Sequence, residues 1–313
     1  MMPSNSDERS YTRQELEQRR LSHRSLLLDS DSSGQTRKTC APDQIRERCL
    51  SLLVLGSGSK GNAAIVADKV TGEGILIDAG ICKRDLLAFS EQGGFDLANL
   101  KGIFITHAHS DHVKNLGVIL RALASLGVEV PLFMHHETLA ASKELQKAQE
   151  VSEIIFFDAQ ETILVGPLSI LTLPTSHDAA VSFGFRIECG NDAIGFITDT
   201  GMVLPDTLEA LRNVRILGLE SNHDETMLRN GAYPRMLKER VGSDKGHLSN
   251  TQAAEVFEEL LSDQLESVVA LHISENNNTY RLPVETLREV AWRRGAQVSV
   301  TCAYQHRPVF IDR

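Results

Sequence analysis

Residues 107 to 112, HAHSDH, place three histidines and one aspartate within six consecutive positions. His107 and His109 are two residues apart, so an extended loop directs both imidazoles to the same side. Asp111 and His112 follow where we predict that a helix begins, and the change in chain direction aims this pair at a neighbouring point. One strand-to-helix junction can therefore provide ligands for two metal ions.

Imidazole nitrogens and carboxylate oxygens form a donor set that suits Zn²⁺, Mn²⁺ or Fe²⁺. The chain has five cysteines, which form no CxxC pair and do not adjoin the histidine cluster, so a closed structural zinc site is not indicated. The odd number of cysteines predicts reduced thiols. The cluster therefore predicts an open, hydrolytic centre, whereas a polar surface loop would not need so many ligand-type residues.

A buried strand must lead into this cluster and a helix must follow it. LKGIFITH is typical of a buried strand, and VKNLGVILRALASLG has apolar residues at helical spacing with a glycine at its end. Upstream, LSLLVLGSGSKGNAAIVAD predicts two strands joined by a tight turn. GILIDAG predicts a third strand, with Asp78 just after the apolar run.

The second half of the chain alternates short apolar runs with helix-like stretches. Strands are predicted at LSILTLP, SFGFRIEC, AIGFITD, VRILGLE and SVVALHI, and helices at residues 205–212, 249–262 and 284–294. Ser249 and Gln252 form a capping-box pattern that supports a helix start there. Strands interleaved with helices predict an α/β fold in which helices cover at least one sheet.

Several of these strands end beside a residue that can bind a metal or transfer a proton. These residues are His177, Asp199, Glu220 and His272. The ends of strands in an α/β sheet meet at a shared cleft. Each residue alone fits an ordinary structural role, but their recurrence at the same point of the pattern indicates one site.

The order HxHxDH, a histidine in TSHD, an aspartate in ITDTG and a last histidine in LHIS resembles the metallo-β-lactamase superfamily with a dinuclear metal site. The resemblance spans nearly all of residues 50–310. It implies an α/β fold of the αββα four-layer sandwich type, in which two sheets lie face to face with helices outside.

The resemblance also implies a role for each ligand. One metal ion would be held by His107, His109 and His177. The other would be held by Asp111, His112 and His272. Asp199 would bridge both ions together with a hydroxide, and two such ions activate water and stabilise the attacking and leaving oxygens. Asp78 resembles the family's structural aspartate, and an ordinary turn carboxylate is the alternative.

GSGSKGN, ESNHD, GHLSN and HISENNN together resemble the bacterial YycJ-like (WalJ) branch, which is similar to ribonuclease Z. This resemblance implies a nuclease, in particular 5′-to-3′ exonuclease action on DNA through the metal-bridging hydroxide. It further implies that Glu220 orients His247 as the general acid, with Asp111 also counted among the catalytic residues. The alternative is that His247 caps the following helix.

A net charge of -10 at pH 7 argues against a large basic surface for nucleic acid. It supports an alternative function, in which the same metals hydrolyse a small ester, lactone, thioester or cyclic phosphate. A third hypothesis is a non-catalytic binding protein that keeps the metals for folding, and the complete ligand set argues against it.

Other polar residues have less certain roles in the sequence. His223 is expected to face solvent, and His135 and His136 to lie at a helix start. The amides of residues 276–278 suit either phosphate binding or turn formation. Lys60, in a glycine-rich turn expected beside the metal cleft, is a candidate contact for a substrate phosphate.

Residues 1–48 are rich in Arg, Glu, Asp and Ser, which predicts a flexible extension ahead of a hydrolase domain at 49–313. No apolar stretch reaches the roughly 20 residues that a membrane span requires. The N-terminus also lacks the apolar core of a secretory signal. We therefore expect a cytoplasmic protein that does not act on a membrane, and the resemblance implies that its substrate is nucleic acid, DNA in particular.

Overall fold

The computed structural model describes residues 48–312, and its strands form two seven-stranded sheets. The first sheet consists of β1 (Leu50–Gly56), β2 (Ala63–Asp68), β3 (Gly74–Ile77), β4 (Leu100–Phe104), β5 (Leu132–Met134), β6 (Ile154–Phe156) and β14 (Val309–Ile311). Their order across the sheet is β14-β1-β2-β3-β4-β5-β6. The pairs from β3 to β6 are parallel, and the other pairs are antiparallel.

The second sheet is built in the same style. It consists of β7 (Thr162–Val165), β8 (Leu168–Pro174), β9 (Phe183–Cys189), β10 (Asp192–Ile197), β11 (Ile216–Glu220), β12 (Ser267–Leu271) and β13 (Ser299–Cys302). Their order is β13-β12-β11-β10-β9-β8-β7. The pairs from β10 to β13 are parallel, with Ile197 opposite Leu219 and Glu220 opposite Leu271.

The two sheets pack face to face around an aromatic core. Phe104 stacks on Phe133 with ring centroids 4.4 Å apart, and the edge of Phe185 from the second sheet meets Phe104 at 5.5 Å. Every residue of β1 is buried, as expected for a strand that is covered on both faces. The core between the sheets therefore explains why these strands are continuous apolar runs.

Ten helices lie among the described residues. Those of the first half are α1 (Lys83–Gln92), α2 (Ser110–Val113), α3 (Leu116–Ser125), α4 (His136–Ala141) and α5 (Lys143–Ala148). Those of the second half are α6 (Pro205–Ala210), α7 (Glu225–Asn230), α8 (Arg235–Val241), α9 (Asn250–Leu260) and α10 (Leu282–Arg294). A short 3-10 turn spans Leu97–Asn99.

The longer helices cover the outer faces of the sheets. In α3, Leu116, Ile119 and Leu123 recur on one helical face and pack in the apolar cluster outside the first sheet. Phe257 of α9 and Leu287 of α10 lie in the corresponding cluster outside the second sheet. The four layers of an αββα sandwich are therefore present, which confirms the predicted fold class.

The predicted helices are present with adjusted ends. The first ends at Ala210, the second spans Asn250–Leu260 after its Ser249 cap, and the third begins earlier, at Leu282. The capping box of Ser249 and Gln252 is formed. His136 begins α4, as expected.

The predicted extension over residues 1–48 lies outside the described residues, apart from Arg48. Within the part of the chain that the structure describes, no helix combines the length and apolar character needed to cross a membrane.

Candidate metal centre

The loop after β4 presents the histidine cluster. His109 is extended and caps α2, so the chain turns between the first two ligand-type residues and the second two. His107 and His112 are completely buried, while the side chains of His109 and Asp111 are 34% and 19% exposed. The loop therefore has two anchored imidazoles and two groups that reach the cleft.

A glycine on the neighbouring loop fixes the backbone of this cluster. An ideal Cβ on Gly80 would lie 1.6 Å from the carbonyl oxygen of Asp111. The same carbonyl accepts a hydrogen bond of 2.8 Å from the backbone N–H of Asn62. Any larger residue at position 80 would displace the loop that carries Asp111.

Asp78 supports the cluster from the core side. Its Oδ2 lies 2.7 Å from Nδ1 of His112, and its Oδ1 accepts a 2.9 Å hydrogen bond from the backbone N–H of Thr106. Burial lowers the pKa of His112, but the carboxylates of Asp199 and Asp78 outweigh it and hold that pKa well above its usual value. Asp78 is therefore not an ordinary turn carboxylate, because it holds the histidine loop.

The second sheet contributes the remaining candidates, each just past or at the end of a strand. His177 follows β8, Asp199 follows β10, Glu220 ends β11 and His272 follows β12. The parallel register of β10, β11 and β12 places their carboxyl ends side by side. This arrangement is why residues far apart in sequence reach one cleft.

Asp199 lies between the two proposed sets of ligands. Its Oδ2 is 3.2 Å from Nε2 of His112, and its Oδ1 is 3.6 Å from Nε2 of His177. Nε2 of His177 is in turn 3.2 Å from Nδ1 of His109. Asp199 thus lies close to one member of each proposed set, and its bridging role stays a prediction.

The other set is equally close. Nε2 of His272 and Nε2 of His112 lie 3.6 Å and 3.5 Å from Oδ2 of Asp111. Ligand atoms lie within 4.8 Å of one another in both proposed triads, which are His107 with His109 and His177, and Asp111 with His112 and His272. All seven predicted ligands therefore converge, and the assignment of each to one ion stays a prediction.

Three of these side chains stand on a strained backbone. Asp78, Asp199 and His272 have φ angles of 61°, 53° and 55°, in the left-handed region that residues other than glycine rarely adopt. Such conformations persist where the surrounding structure imposes them, and they cluster at functional sites. Each one lies at the carboxyl end of a strand, where it reverses the chain beside the cleft.

Two buried nitrogens in the centre lack a hydrogen-bonding partner. Nε2 of His107 and Nε2 of His272 have none among the described residues, although buried polar atoms are almost always paired. Burial also lowers the pKa of His107 well below its usual value, which favours the neutral imidazole that binds metals. The nitrogen and oxygen donors present therefore fit divalent cations.

Glu220 and His247 form the predicted pair beside these ligands. Nδ1 of His247 lies 2.8 Å from Oε1 of Glu220, and the same oxygen lies 2.9 Å from Nδ1 of His272. Burial raises the pKa of Glu220, but the neighbouring imidazoles outweigh it and lower that pKa to about 2. Ser249, not His247, caps α9, so the capping alternative for His247 is wrong.

A cavity of about 300 Å³ opens over the centre. Its walls beyond the predicted site residues are formed by Ser59, Ser110, Asn222, Tyr233, Arg240, Val241 and Ser274. Ser59 belongs to the glycine-rich turn, which therefore lies beside the cleft as expected. Lys60 of that turn is 59% exposed and pairs with Glu275, at 2.6 Å between Nζ and Oε2.

The structure corrects the expectation for His223, which is 2% exposed rather than solvent-facing. Its carbonyl accepts a 2.8 Å hydrogen bond from the N–H of Asn250, so the ESNHD loop folds beneath the start of α9. Asn278 is also buried, and its amide donates to the carbonyls of Ser221 and Asn222. That residue forms the turn and is not available to a phosphate.

Sequence reasoning did not identify Tyr233 and Arg240 as wall residues of the cavity. They lie in the segment 225–245, between β11 and α9, which has no metal ligand and no strong apolar period. The only signal was an excess of Arg and Lys in an otherwise acidic chain. An excess of basic residues does not by itself indicate where a segment lies, so it does not predict a position at the cleft.

Comparison with known proteins gives consistent matches. Residues 74–273 match the family described as the beta-lactamase superfamily domain. The exodeoxyribonuclease YycJ of Bacillus anthracis is 30% identical over 246 residues, which are 79% of this chain and 90% of that protein. The exodeoxyribonuclease WalJ of Streptococcus pneumoniae serotype 2 is 30% identical over 237 residues, 75% of this chain and 85% of that protein.

Solved structures show the same fold. The metallo-beta-lactamase fold protein YhfI from Bacillus subtilis superposes with a TM-score of 0.61 at 17% identity, over 84% of this chain and 99% of that one. The short form of human tRNase Z gives a TM-score of 0.56 at 15% identity, over 83% of this chain and 98% of that one.

Proposed function

Because the chain belongs to the beta-lactamase superfamily, we propose that it is a metal-dependent nuclease that removes nucleotides from the 5′ end of DNA. The relatives named exodeoxyribonuclease, each 30% identical over most of their length, support a phosphodiester substrate. The geometry around Glu220 and His247 supports the same reaction class independently of those names.

The contact between Glu220 and His247 is the observation that carries this proposal. Cleavage of a phosphodiester expels an alkoxide, which needs a proton to leave. With Nδ1 of His247 held 2.8 Å from Glu220, Nε2 is the nitrogen left to donate that proton. His247 lines the cavity, so a leaving oxygen bound there lies within its reach.

Seven residues would hold two divalent cations in this reaction. They are His107, His109, Asp111, His112, His177, Asp199 and His272. When bound, two divalent ions lower the pKa of water and stabilise the attacking and leaving oxygens of a displacement at phosphorus. Zn²⁺ and Mn²⁺ both suit these donors, and Fe²⁺ is compatible with them.

The protein itself positions these groups. Asp78 and Glu220 hold the Nδ1 atoms of His112 and His272, and buried partners of this kind fix the ring orientation of metal-binding histidines. The contact of Glu220 with Nδ1 of His247 also fixes the orientation of that ring beside the cavity.

A second candidate function is the hydrolysis of a small ester, lactone, thioester or cyclic phosphate. The observation that favours it is the size of the cavity, about 300 Å³, at the lower end of the range for small-molecule sites. A single terminal nucleotide also fits such a volume, so the experiment must present both classes of substrate.

Digestion of end-labelled nucleic acid tests the proposal. The protein would be incubated in Mn²⁺ or Zn²⁺ with single- and double-stranded DNA and RNA that carry a 5′-phosphate or a 5′-hydroxyl. We expect metal-dependent release of mononucleotides from the 5′ end of DNA, and none with the Asp111→Ala variant. Silence on every polynucleotide, with steady turnover of a small ester or cyclic phosphate, would overturn the nuclease proposal in favour of the second function.

A further inference from the structure

The wall of the cavity carries one permanent positive charge. Among the described residues that line the cavity, Arg240 is the only lysine or arginine. It stands near the end of α8, and its neighbour Val241 accepts a 2.9 Å hydrogen bond from the backbone N–H of His247. The guanidinium therefore stands on a segment that is tied directly to the proposed general acid.

Arg240 is held in place by a carboxylate that adjoins the metal centre. Its Nε donates to Oδ2 of Asp178, and Oδ1 of Asp178 lies 3.4 Å from Nε2 of His177 and 3.9 Å from Nε2 of His109. One carboxyl group thus separates the guanidinium from the reacting centre. This distance would allow Arg240 to contact one group of a substrate while another group of the same substrate lies at the metal centre.

The ion pair leaves most of the binding capacity of Arg240 unused. Only Nε is bonded, and its two Nη groups make no hydrogen bond to any described residue. The Arg240 side chain is 60% exposed, whereas that of Asp178 is 25% exposed. A guanidinium that is fixed at Nε and open at its Nη groups is suited to bidentate binding of a phosphate.

We propose that Arg240 binds a phosphate of the substrate other than the one that is cleaved, an inference that rests on the proposed nuclease function. Asp178 keeps the guanidinium directed into the cavity before the substrate arrives. Tyr233 and Ser274 line the same cavity and supply hydroxyl groups around that phosphate. Arg240 thereby makes the cleft selective for polynucleotides over diesters with a single phosphate.

Arg235 offers a matched control on the same helix. It pairs with Glu239 one turn along α8, at 2.7 Å between Nε and Oε1, and its side chain is 90% exposed. It is not among the residues that line the cavity. Replacing Arg235 by Gln therefore removes the same charge from the same segment without touching the proposed phosphate site.

The test compares wild type, Arg240→Gln, Arg240→Lys and Arg235→Gln, after the bound metal of each is measured by elemental analysis. Two substrates are used: a short DNA oligonucleotide, and bis(para-nitrophenyl) phosphate, which has a single phosphate. We expect Arg240→Gln to raise KM for DNA by about 10- to 100-fold, the range for a charge-assisted hydrogen bond. Its turnover of the chromogenic diester should stay within a few-fold of wild type.

Additional variants and a nucleotide inhibitor provide further comparisons. Arg240→Lys should recover part of the loss, and Arg235→Gln should behave as wild type. A deoxynucleoside 5′-monophosphate should inhibit wild type, and where Arg240 binds the terminal phosphate, the inhibition constant should rise in Arg240→Gln. A loss restricted to 5′-phosphorylated DNA identifies a terminal phosphate, and an equal loss on 5′-hydroxyl DNA identifies an internal one; both support the proposal.

Three outcomes would overturn it: equal losses in Arg240→Gln and Arg235→Gln, equal losses on DNA and on the chromogenic diester, or a drop in bound metal. Each would show that Arg240 acts by general charge or by holding the fold. Failure of the nuclease function itself is distinguishable, because wild type would then cleave neither DNA nor RNA.

Discussion

The centre has two buried carboxylates, one from each sheet, and each contacts Nδ1 of a histidine that is a predicted metal ligand. Asp78, just after β3, lies 2.7 Å from Nδ1 of His112, and Glu220, at the end of β11, lies 2.9 Å from Nδ1 of His272. Both carboxylates are almost completely buried. The two sheets thus support their metal-binding candidates by the same device.

The two carboxylates differ in their other contacts. Those of Asp78 go to the backbone and hydroxyl of Thr106, which lies in the same loop as His112. Glu220 reaches His247 as well and accepts from the backbone N–H of Thr200. The first carboxylate therefore only supports a predicted ligand, while the second also contacts an imidazole that lines the cavity.

Their ionisation follows from these contacts. Burial raises the pKa of Asp78, and the imidazole of His112 offsets only part of that effect. Burial also raises the pKa of Glu220, but His247 and His272 outweigh it and lower that pKa to about 2. A carboxylate shared by two imidazoles thus stays anionic at neutral pH in the interior, as the orienter of a general acid must.

Replacing Glu220 by Gln should have the largest effect, because it removes both functions at once. We expect turnover to fall by about 100- to 10,000-fold, the usual contribution of general acid catalysis. Metal affinity should also fall, by about 10- to 100-fold. Steady-state kinetics and metal titration would measure both, with Glu188→Gln on β9 as the control. A loss no greater than that of an Asp78 variant would show that the two carboxylates are equivalent.

Replacing His247 by Ala should remove the proposed general acid while leaving all the predicted metal ligands in place. We expect a similar fall in turnover, about 100- to 10,000-fold, with both metal ions retained. Asp111→Ala and His109→Ala should instead reduce metal content, and His135→Ala should change neither quantity. Elemental analysis beside the kinetics decides the roles, and equal metal loss in the His247 variant would make His247 a ligand.

Replacing Asp78 by Asn should show the effect of losing support for a predicted metal ligand, because Asp78 supports His112 and not His247. The amide cannot accept from both Thr106 and His112 as the carboxylate does, so metal affinity should fall by about 10- to 100-fold. Turnover at saturating metal should stay close to wild type. The control Asp85→Asn, on α1, removes a carboxylate that pairs with Arg84 and should have no effect on either quantity. A persistent loss of turnover at saturating metal would contradict this assignment.

Replacing Ser249 by Ala should have the smallest effect. The change removes the cap of α9, two residues after His247, and should cost about 1 kcal/mol of unfolding free energy. Gln252→Ala, which removes only the reciprocal bond of the capping box, should cost less. Chemical denaturation measures both. A turnover loss as large as that of His247→Ala would mean that the cap, rather than Glu220, positions His247.

Much of the centre could be predicted from the sequence, because its ligands are either adjacent or mark the ends of strands. HAHSDH is a local motif, and residues such as Asp199 and His272 each follow a long apolar run. The three-residue strands β5 and β6 were not predicted, since runs of that length have no clear period. His223 was wrongly placed because its burial depends on α9, which packs over it only in the folded chain.

Arg240 illustrates the same limit for the cavity wall. The segment around it has no strong apolar period, and its partner Asp178 is distant in the chain. Nothing in the local pattern joins the two, so only the folded structure brings the guanidinium to the cleft. The roles of the site residues and a cytoplasmic location stay predictions.

The register of β10, β11 and β12 has a consequence for how this protein can change. Hydrogen bonding holds neighbouring strands about 4.8 Å apart. The pairing of these strands therefore sets the spacing between Asp199, Glu220 and His272. The segment 225–245 leaves the sheet after β11 and provides Tyr233, Arg240 and Val241 to the cavity wall, but none of the predicted metal ligands. Its length and composition can therefore vary and retune the choice of substrate, while the spacing of the reacting groups is preserved by the sheet.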